Sequence, residues 1–154
     1  MQILETYIVK IDAKGRMALP SGLKRVLGTI LDSGFYIRRS MSERCLEMYT
    51  APQWEAALGR VQSLNPYMRE NRSFIRRFMA GVKYLTPDAA TRINIPYELS
   101  QWAGIEKEVV LSPVGDGMFE MWDKKSYEEV LLRDEEQYAA MAERIMGDNP
   151  SHTL

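Results

Sequence analysis

The sequence predicts an α+β fold, mainly β, built from two tandem copies of one small unit with flanking helices. Three observations predict it: an ordered internal repeat, short apolar stretches between turn residues, and helical apolar periodicity after each copy. The chain has 154 residues, of which 45% are hydrophobic and 27% are charged. These values are usual for a globular protein.

The repeat is clearest in two nine-residue stretches that share the pattern Asp-Ala-x-x-Arg-apolar-x-apolar-Pro. They begin at Asp12 and Asp88 and end at Pro20 and Pro96, an offset of 76 residues. A second correspondence joins Leu46-Glu47-Met48-Tyr49 to Phe119-Glu120-Met121-Trp122. Agreement in the same order over separate stretches indicates a duplication.

Each copy is predicted to contain the same series of elements. Pro20 and Pro96 suit the first turn of a short helix, where no N–H is needed, and Gly28 and Gly104 suit its C-terminal end. The predicted strands, given for the first and then the second copy, are 3–11 and 81–85, 17–19 and 93–95, 35–39 and 109–111, and 46–49 and 118–122. The last two of each copy form a hairpin, and the second hairpin turns at residues 115–117.

A helix is predicted to close each copy. In the first copy, Thr50 and Gln53 have the spacing of a capping box, and Pro52 lies in the opening turn. In the second copy, Asp123 is the candidate cap. The apolar faces comprise Trp54, Leu58 and Val61 in the first helix and Tyr127, Val130, Leu131, Tyr138, Met141 and Ile145 in the second.

Another helix is predicted between the copies, starting at Asn65-Pro66. Its apolar residues Tyr67, Phe74, Ile75 and Phe78 cluster on one side, and Arg69, Arg72 and Arg76 fan along the opposite side. We interpret these arginines as a solvated face, or else as a basic ridge for phosphate or for the acidic surface of a neighbouring subunit. The domain prediction is a first repeat at 1–64, a connecting helix at 65–79, a second repeat at 80–146 and a flexible tail at 147–154.

Charge is distributed very unevenly along the chain. The formal net charge is −1, but residues 1–83 carry 14 Lys/Arg against 7 Asp/Glu, and residues 84–154 carry 6 against 14. This asymmetry fits a basic face for an anionic partner. It equally fits attraction between opposite halves, within one fold or between subunits.

Several features favour a cytoplasmic protein without a membrane partner. The single cysteine, Cys45, cannot form an internal disulfide, which suits a reducing compartment. No window approaches the ~18 uncharged apolar residues that a membrane span needs. Glu5, Lys10 and Asp12 make the N-terminal stretch atypical of a signal peptide.

The sequence offers little for catalysis, so we expect no enzyme, no metal, no cofactor and no small-molecule substrate. It has no zinc-spaced Cys/His cluster and no phosphate-binding glycine loop. The one histidine, His152, lies on the predicted tail, where it is poorly held for general-base work. Asp12 and Asp88 could form a carboxylate pair. Each precedes an arginine by four residues, however, so an ion pair or turn cap is the simpler interpretation.

The repeated turn is the best candidate for a binding site. Gly15 allows the first turn to bend tightly, and Lys14 and Arg16 flank it, with Lys10 close by. A two-stranded ribbon fits the DNA major groove, where Arg can bind guanine, and Lys can neutralise phosphates. The alternative is that Arg16 only fixes the turn, by pairing with Asp12 or Asp88.

The two turns differ in residues that matter for DNA binding, so they are not expected to contribute equally. The second turn has Ala90-Thr91 where the first has Lys14-Gly15, and it keeps Arg92. If DNA is the partner, the first turn is therefore predicted to make most of the contacts. The second copy would supply symmetry, core and subunit contacts.

Taken together, these motifs resemble those of the MraZ family of bacterial regulators over nearly the whole chain. The resemblance is carried by the doubled Asp-x-x-x-Arg motif with its following proline, by the stretch Phe74-Ile75-Arg76-Arg77-Phe78-Met79-Ala80-Gly81, and by the stretch Gly104-Ile105-Glu106-Lys107-Glu108-Val109.

This resemblance implies an AbrB-like swapped-hairpin fold, in which two repeats form a pseudo-twofold β-barrel. It further implies a ring of subunits that regulates transcription of the cell-division and cell-wall gene cluster, and so a nucleoid-associated protein. Partners would be double-stranded DNA with tandem short promoter repeats and other copies of the chain. DNA contact would map onto Lys14, Gly15 and Arg16, with Lys10 and Arg92 as further candidates. Related barrels act as antitoxins, so an antitoxin-like protein-binding module is the alternative function.

Overall fold

The structure, a computed structural model, describes residues 5–147. The strands are β1 Tyr7–Lys10, β2 Arg16–Ala18, β3 Phe35–Arg39, β4 Leu46–Thr50, β5 Lys83–Leu85, β6 Arg92–Asn94, β7 Glu108–Gly115 and β8 Met118–Asp123. The α-helices are α1 Ser21–Leu27, α2 Ala51–Gln62, α3 Arg69–Met79, α4 Tyr97–Ala103, α5 Lys124–Arg133 and α6 Glu135–Met146, and a 3-10 helix, Gly28–Ser33, follows α1. The described chain divides into a large unit, residues 5–124, and a small one, residues 125–147.

The large unit is a mixed α+β structure with two antiparallel sheets. The larger sheet has six strands in the order β1-β7-β8-β4-β3-β5, and the smaller one is a two-stranded ribbon of β2 and β6. The six-stranded sheet is open, with β1 and β5 at its edges. Among the strands of residues 5–147, no closed barrel of hydrogen-bonded strands is found.

Strand pairing runs crosswise between the two copies. Strand β1 of the first copy pairs with β7 of the second, and β5 of the second copy pairs with β3 of the first. In the ribbon, Met17 lies opposite Ile93. The N–H of Leu19 donates to the Thr91 carbonyl at 3.0 Å, and the N–H of Ile95 donates to the Gly15 carbonyl at 2.8 Å. The two bonds are equivalent: the donors Leu19 and Ile95 lie 76 positions apart, and so do the acceptors Gly15 and Thr91. The sequence repeat is therefore also a structural repeat.

The core of the large unit lies between the ribbon, α1, α4 and one face of the large sheet. Alternate strand residues point inward, as the period of two residues requires. Met17 and Ile93 have no exposed surface, and neither do Phe35 and Ile37 on β3. Burying side chains of this size contributes about 1.5–3 kcal/mol each.

A second apolar cluster forms on the other face of the sheet, where α2 and α3 pack. The Trp54 ring stacks on Tyr36 at 5.1 Å and on Phe78 at 5.6 Å between ring centroids. A buried ion pair adjoins this cluster through Phe78, whose ring centre lies 4.2 Å from the Arg38 guanidinium. In this pair Arg38 Nη1 donates to Glu47 Oε1 at 2.7 Å. Arg38 Nε also donates to the Phe78 carbonyl at 3.0 Å, which ties β3 to the end of α3.

Most element predictions from the sequence are confirmed, with shifted ends. The hairpins, the short strands and the helix-ending glycines Gly28 and Gly104 lie where expected. The first strand is shorter than predicted because Ile11 makes only an isolated bridge, and residues 3 and 4 lie outside the described residues. Pro20 and Pro96 precede their helices as N-cap residues rather than lying inside the first turn.

The predicted capping box at the start of α2 is wrong. Thr50 occupies the N-cap position, but its side chain makes no capping hydrogen bond. Thr50 is wholly buried at the end of β4, and its Oγ1 finds no partner in the described part of the chain. Its strand position therefore decides where the side chain points, and the sequence spacing with Gln53 does not.

The connecting helix starts later than predicted. The Asn65 side chain accepts the N–H of Tyr67 at 3.0 Å, and this local turn delays α3 to Arg69. Tyr67 is consequently exposed instead of joining the apolar cluster. Arg69 was expected opposite the aromatic side of the helix, but it lines the same cavity as Phe74 and Phe78.

The closing helix of the second copy is two helices rather than one. The helix is interrupted at Asp134, whose φ of −92° and ψ of −1° depart from the values of a regular α-helix. Asp is also a weak helix former, and the Arg133 Nε donates to its side chain at 2.9 Å. The apolar stripe is not buried as a packing role would require, since Leu131, Tyr138 and Ile145 are 49–70% exposed.

Candidate nucleic-acid interface

The first turn, residues 12–16, is held by the side chain of its own aspartate. Asp12 Oδ1 accepts the backbone N–H groups of Lys14 and Arg16, both at 2.9 Å. Asp12 Oδ2 accepts Arg16 Nε at 2.8 Å. The Asp12 N–H and the Arg16 carbonyl close the turn at 2.9 Å. The spacing of four residues between Asp12 and Arg16 thus builds a closed, hydrogen-bonded turn rather than a catalytic pair of groups.

The second turn, residues 88–92, repeats this network bond for bond. Asp88 accepts the N–H groups of Ala90 and Arg92 at 2.9 Å, and Arg92 Nε donates to Asp88 Oδ2 at 3.0 Å. Both arginines therefore fix their own turns. The pairing of Arg16 with Asp12 that the sequence raised is present, and Arg92 pairs with Asp88 in the same way.

The arginines keep donors available despite their structural role. Each uses its Nε–H within the turn, while a guanidinium carries five N–H groups. The side chains of Arg16 and Arg92 are 33% and 36% exposed. Their terminal nitrogens have no partner among the residues that the structure describes. One edge of each guanidinium can therefore bind the turn while the other binds a partner.

The β2–β6 ribbon places both arginines on one outward face. In β2 only the central Met17 is buried, and in β6 only the central Ile93, so the flanking residues point away from the core. Arg16 lies opposite Asn94 across the ribbon, and Ala18 lies opposite Arg92. Sequence reasoning missed Asn94. The alternation of β6 was the signal that could have found it, because Asn94 lies two positions after Arg92.

Two exposed lysines lie in the first turn or just before it in the chain. Lys14 and Lys10 are both exposed, the first at the tip of the first turn and the second at the end of β1. Gly15 has φ of +84°, and a Cβ placed there would lie 3.0 Å from Asn94 Oδ1 and from the Ile95 carbonyl. Glycine at position 15 therefore avoids both the cost of the positive φ and this close contact with the end of β6.

The second turn places a threonine in the left-handed backbone conformation, which costs more conformational energy than the glycine of the first turn. Thr91 has φ of +58° and is the one non-glycine residue with positive φ in the described chain. A β-branched residue is disfavoured there. The exchange of Lys14-Gly15 for Ala90-Thr91 thus removes an exposed charge and introduces strain, while the hydrogen bonds of the turn persist.

The two turn aspartates are carboxylates rather than acids. The backbone N–H of Arg16 holds the pKa of Asp12 below its usual value, and the Arg92 backbone N–H does the same for the pKa of Asp88. A carboxylate pair that works as acid and base needs one raised pKa. Both of these values move in the opposite direction, so the turns do not fit the catalytic alternative.

Other sites that the sequence raised offer no reactive geometry. Cys45 is fully buried, and burial raises the pKa of its thiol well above the usual range, which disfavours the thiolate. Within residues 5–147 no group of three or more His, Cys, Asp or Glu side chains could hold a metal ion. None of the helices between residues 5 and 147 combines the length and the hydropathy of a membrane-spanning segment. His152 lies outside the described residues.

Comparison with known proteins identifies the relatives of this chain. A protein called "Transcriptional regulator MraZ" from Christiangramia forsetii is 41% identical over 149 residues, which span 97% of this chain and 96% of that protein. The chain belongs to the MraZ family. Proteins of the same name from Flavobacterium psychrophilum and Bifidobacterium longum are 38% and 31% identical, each over 95% of this chain.

The MraZ family model, described as "MraZ protein, putative antitoxin-like", matches residues 78–149. That range contains the second turn, while the similarity to the MraZ relatives spans both copies. The resemblance inferred from the doubled Asp-x-x-x-Arg motif is therefore confirmed. In this MraZ-family chain the motif has a clear structural purpose, because its aspartate and arginine close the two turns of the ribbon.

Proposed function

We propose that the chain is a sequence-specific DNA-binding transcriptional regulator that contacts DNA through the outward face of the β2–β6 ribbon. The observation that carries this proposal is the placement of Arg16, Arg92 and Asn94 on that face, beside the exposed Lys14. An antiparallel ribbon fits the major groove, where Arg binds guanine and Asn binds adenine through paired hydrogen bonds. Lys14 and Lys10 would neutralise phosphates at the groove edge.

The names of the MraZ relatives support regulation of transcription, and the crosswise strand pairing supports an AbrB-like swapped-hairpin fold. We extend the proposal to the target that the family resemblance implies, the cell-division and cell-wall gene cluster. The protein would then work in the cytoplasm at the nucleoid.

Assembly into a ring would solve the problem of a small contact area. One ribbon per subunit touches few base pairs, so a single subunit binds weakly. Identical ribbons on one ring can bind successive repeats of an operator, and linked contacts raise the total affinity without any new type of contact. The repeats would need a spacing of about 10–10.5 bp to present the same groove.

The proposal is tested by selecting genomic DNA fragments with the purified full chain at fixed salt. We expect enrichment of fragments that contain tandem short repeats near one helical turn apart. Lys14→Ala should weaken binding to the selected fragment and lower the slope of log affinity against log salt by about 1. If no fragment is retained at low salt, the proposal is refuted.

The difference between the two turns supplies a matched pair of variants. Ala90→Lys combined with Thr91→Gly gives the second turn the residues of the first. It also removes the strain of a threonine at positive φ, because glycine adopts that φ readily. We expect tighter DNA binding and a steeper salt dependence from this variant. Equal affinity in the wild type, Lys14→Ala and the double variant would show that the turns do not contact DNA.

An antitoxin-like protein-binding module is the second candidate, favoured by the wording of the MraZ family description. Its contact surface would be the small unit, residues 125–147, which carries exposed acidic and apolar residues. Purification of the chain from its native host discriminates the two functions. A basic protein retained at one copy per chain, with no DNA affinity at low salt, would favour the second candidate.

A further inference from the structure

A cavity of about 810 Å³ opens on the large unit, and no residue of the β2–β6 ribbon is among the residues that line it. It lies between α3, the end of β3 with its following loop, and α4. Its floor and walls are formed by Phe78, Phe74, Trp102, Arg38, Arg39, Arg69 and Arg77. We call it the arginine cavity.

The arginine cavity carries an excess of positive charge. Arg38 is neutralised by Glu47, but Arg39, Arg69 and Arg77 have no carboxylate partner among the residues that the structure describes. Arg44 adds a further charge, since its guanidinium lies 4.7 Å from the centre of the Trp102 ring. Glu70 is the one acidic residue that lines the cavity.

Its rim is also apolar, which argues against a ligand that is only an anion. Phe74 is 41% exposed and Met41 65% exposed, and both line the cavity. Met68, 55% exposed, directly precedes α3. An occupant that satisfies all of these groups must present carboxylates beside apolar side chains.

The chain itself carries a surface of that composition. The small unit, residues 125–147, contains six Asp/Glu and three Lys/Arg, and α5 and α6 bury none of their side chains. Leu131, Leu132 and Tyr138 are 55%, 69% and 70% exposed. Glu135 and Glu136 lie between them, at the start of α6.

We propose that the arginine cavity of one copy receives the acidic small unit of a second copy. The two surfaces differ, so the contact is heterologous, and repeated head-to-tail contacts of this kind generate a ring or an open filament. The inference rests on the assembly included in the proposed function and names the surfaces that build it. Opposite charges would fix the register, and the exposed apolar groups would supply the buried area.

The test measures the molar mass of the full chain by light scattering across a concentration series. Arg77→Glu, and separately Glu135→Lys with Glu136→Lys, should each raise the concentration needed for assembly by about a hundredfold, because like charges would then face one another. Arg76→Glu is the matched control. It makes the same charge change in the last turn of α3, so it has the same effect on the helix end, but Arg76 does not line the cavity.

Combining the reversals in one chain tests whether the two surfaces meet. A chain with Arg77→Glu, Glu135→Lys and Glu136→Lys should regain most of the assembly that either set of changes removes. The proposal is overturned if the wild type is monomeric, or if the variant with Glu135→Lys and Glu136→Lys assembles at the same concentration as the wild type. It is also overturned if the combined chain needs as high a concentration to assemble as the two variants from which it is built. An assembled wild type that binds no DNA would refute the proposed function and leave this interface standing.

Discussion

Gly15 offers a test of the first turn in which the structure gives the size of the effect. Its φ is +84°, where an L-residue costs roughly 1–2 kcal/mol. An added Cβ would also lie 3.0 Å from the Ile95 carbonyl, which cannot easily retreat because the Ile95 N–H is bonded to the Gly15 carbonyl. We therefore expect Gly15→Ala to lower the free energy of unfolding by about 2 kcal/mol.

The same chemical change at Gly59 should have the opposite sign. Gly59 lies inside α2, and a Cβ there would have no atom within 4 Å. Gly59→Ala should raise the free energy of unfolding by roughly 0.5–1 kcal/mol, because alanine favours the helix.

Thermal unfolding followed by circular dichroism separates the two changes. At roughly 2–4 °C per kcal/mol for a chain of this size, the melting temperature should fall by about 4–8 °C for Gly15→Ala and rise by about 2 °C for Gly59→Ala. The reasoning is refuted if Gly15→Ala melts at or above the wild-type temperature. In that case the turn would not need a glycine.

Three further predictions concern stability. Arg38→Met leaves Glu47 buried without its cation and should cost about 3–5 kcal/mol in urea unfolding, much of which Glu47→Leu in the same chain should restore. Thr50→Val removes a buried hydroxyl without a described partner and should stabilise by about 1 kcal/mol in the same assay; a loss would show that the hydroxyl is satisfied. The folded pKa of Asp12 lies below its unfolded value near 3.8, so its contribution is present above that value and lost as the pH falls through the folded pKa. Asp12→Asn should therefore make the urea midpoint less sensitive to acid, and an unchanged pH dependence would contradict this.

The sequence could predict the repeat, the hairpins and the glycine-ended helices because each depends on local pattern. The nine-residue motif beginning at Asp12 and at Asp88 reports both turns, since their hydrogen bonds join residues at most four apart. Gly28 and Gly104 end helices for a reason that is likewise local.

Features that depend on distant residues escaped sequence reasoning. Alternation within β6 puts Asn94 on the same face as Arg92, but its place opposite Arg16 depends on the pairing of β6 with β2, which residues near Asn94 in the sequence do not signal. Charged residues are usually exposed, yet Arg38 and Glu47 are buried as a pair, and Arg38 contacts Phe78 of α3. The break at Asp134 interrupts an apolar periodicity that continues on both sides, so the periodicity alone predicts one helix.

The central claim, that the ribbon face contacts DNA, is tested most directly by measuring affinity for the selected fragment at two salt concentrations. Arg16→Ala and the control Arg60→Ala, which removes a surface arginine from α2, are compared with the wild type. We predict that Arg16→Ala abolishes specific binding while the molar mass is unchanged, and that Arg60→Ala binds like the wild type with a strong fall in affinity at higher salt. Equal affinities for all three proteins, or an affinity that does not change with salt, would contradict the claim.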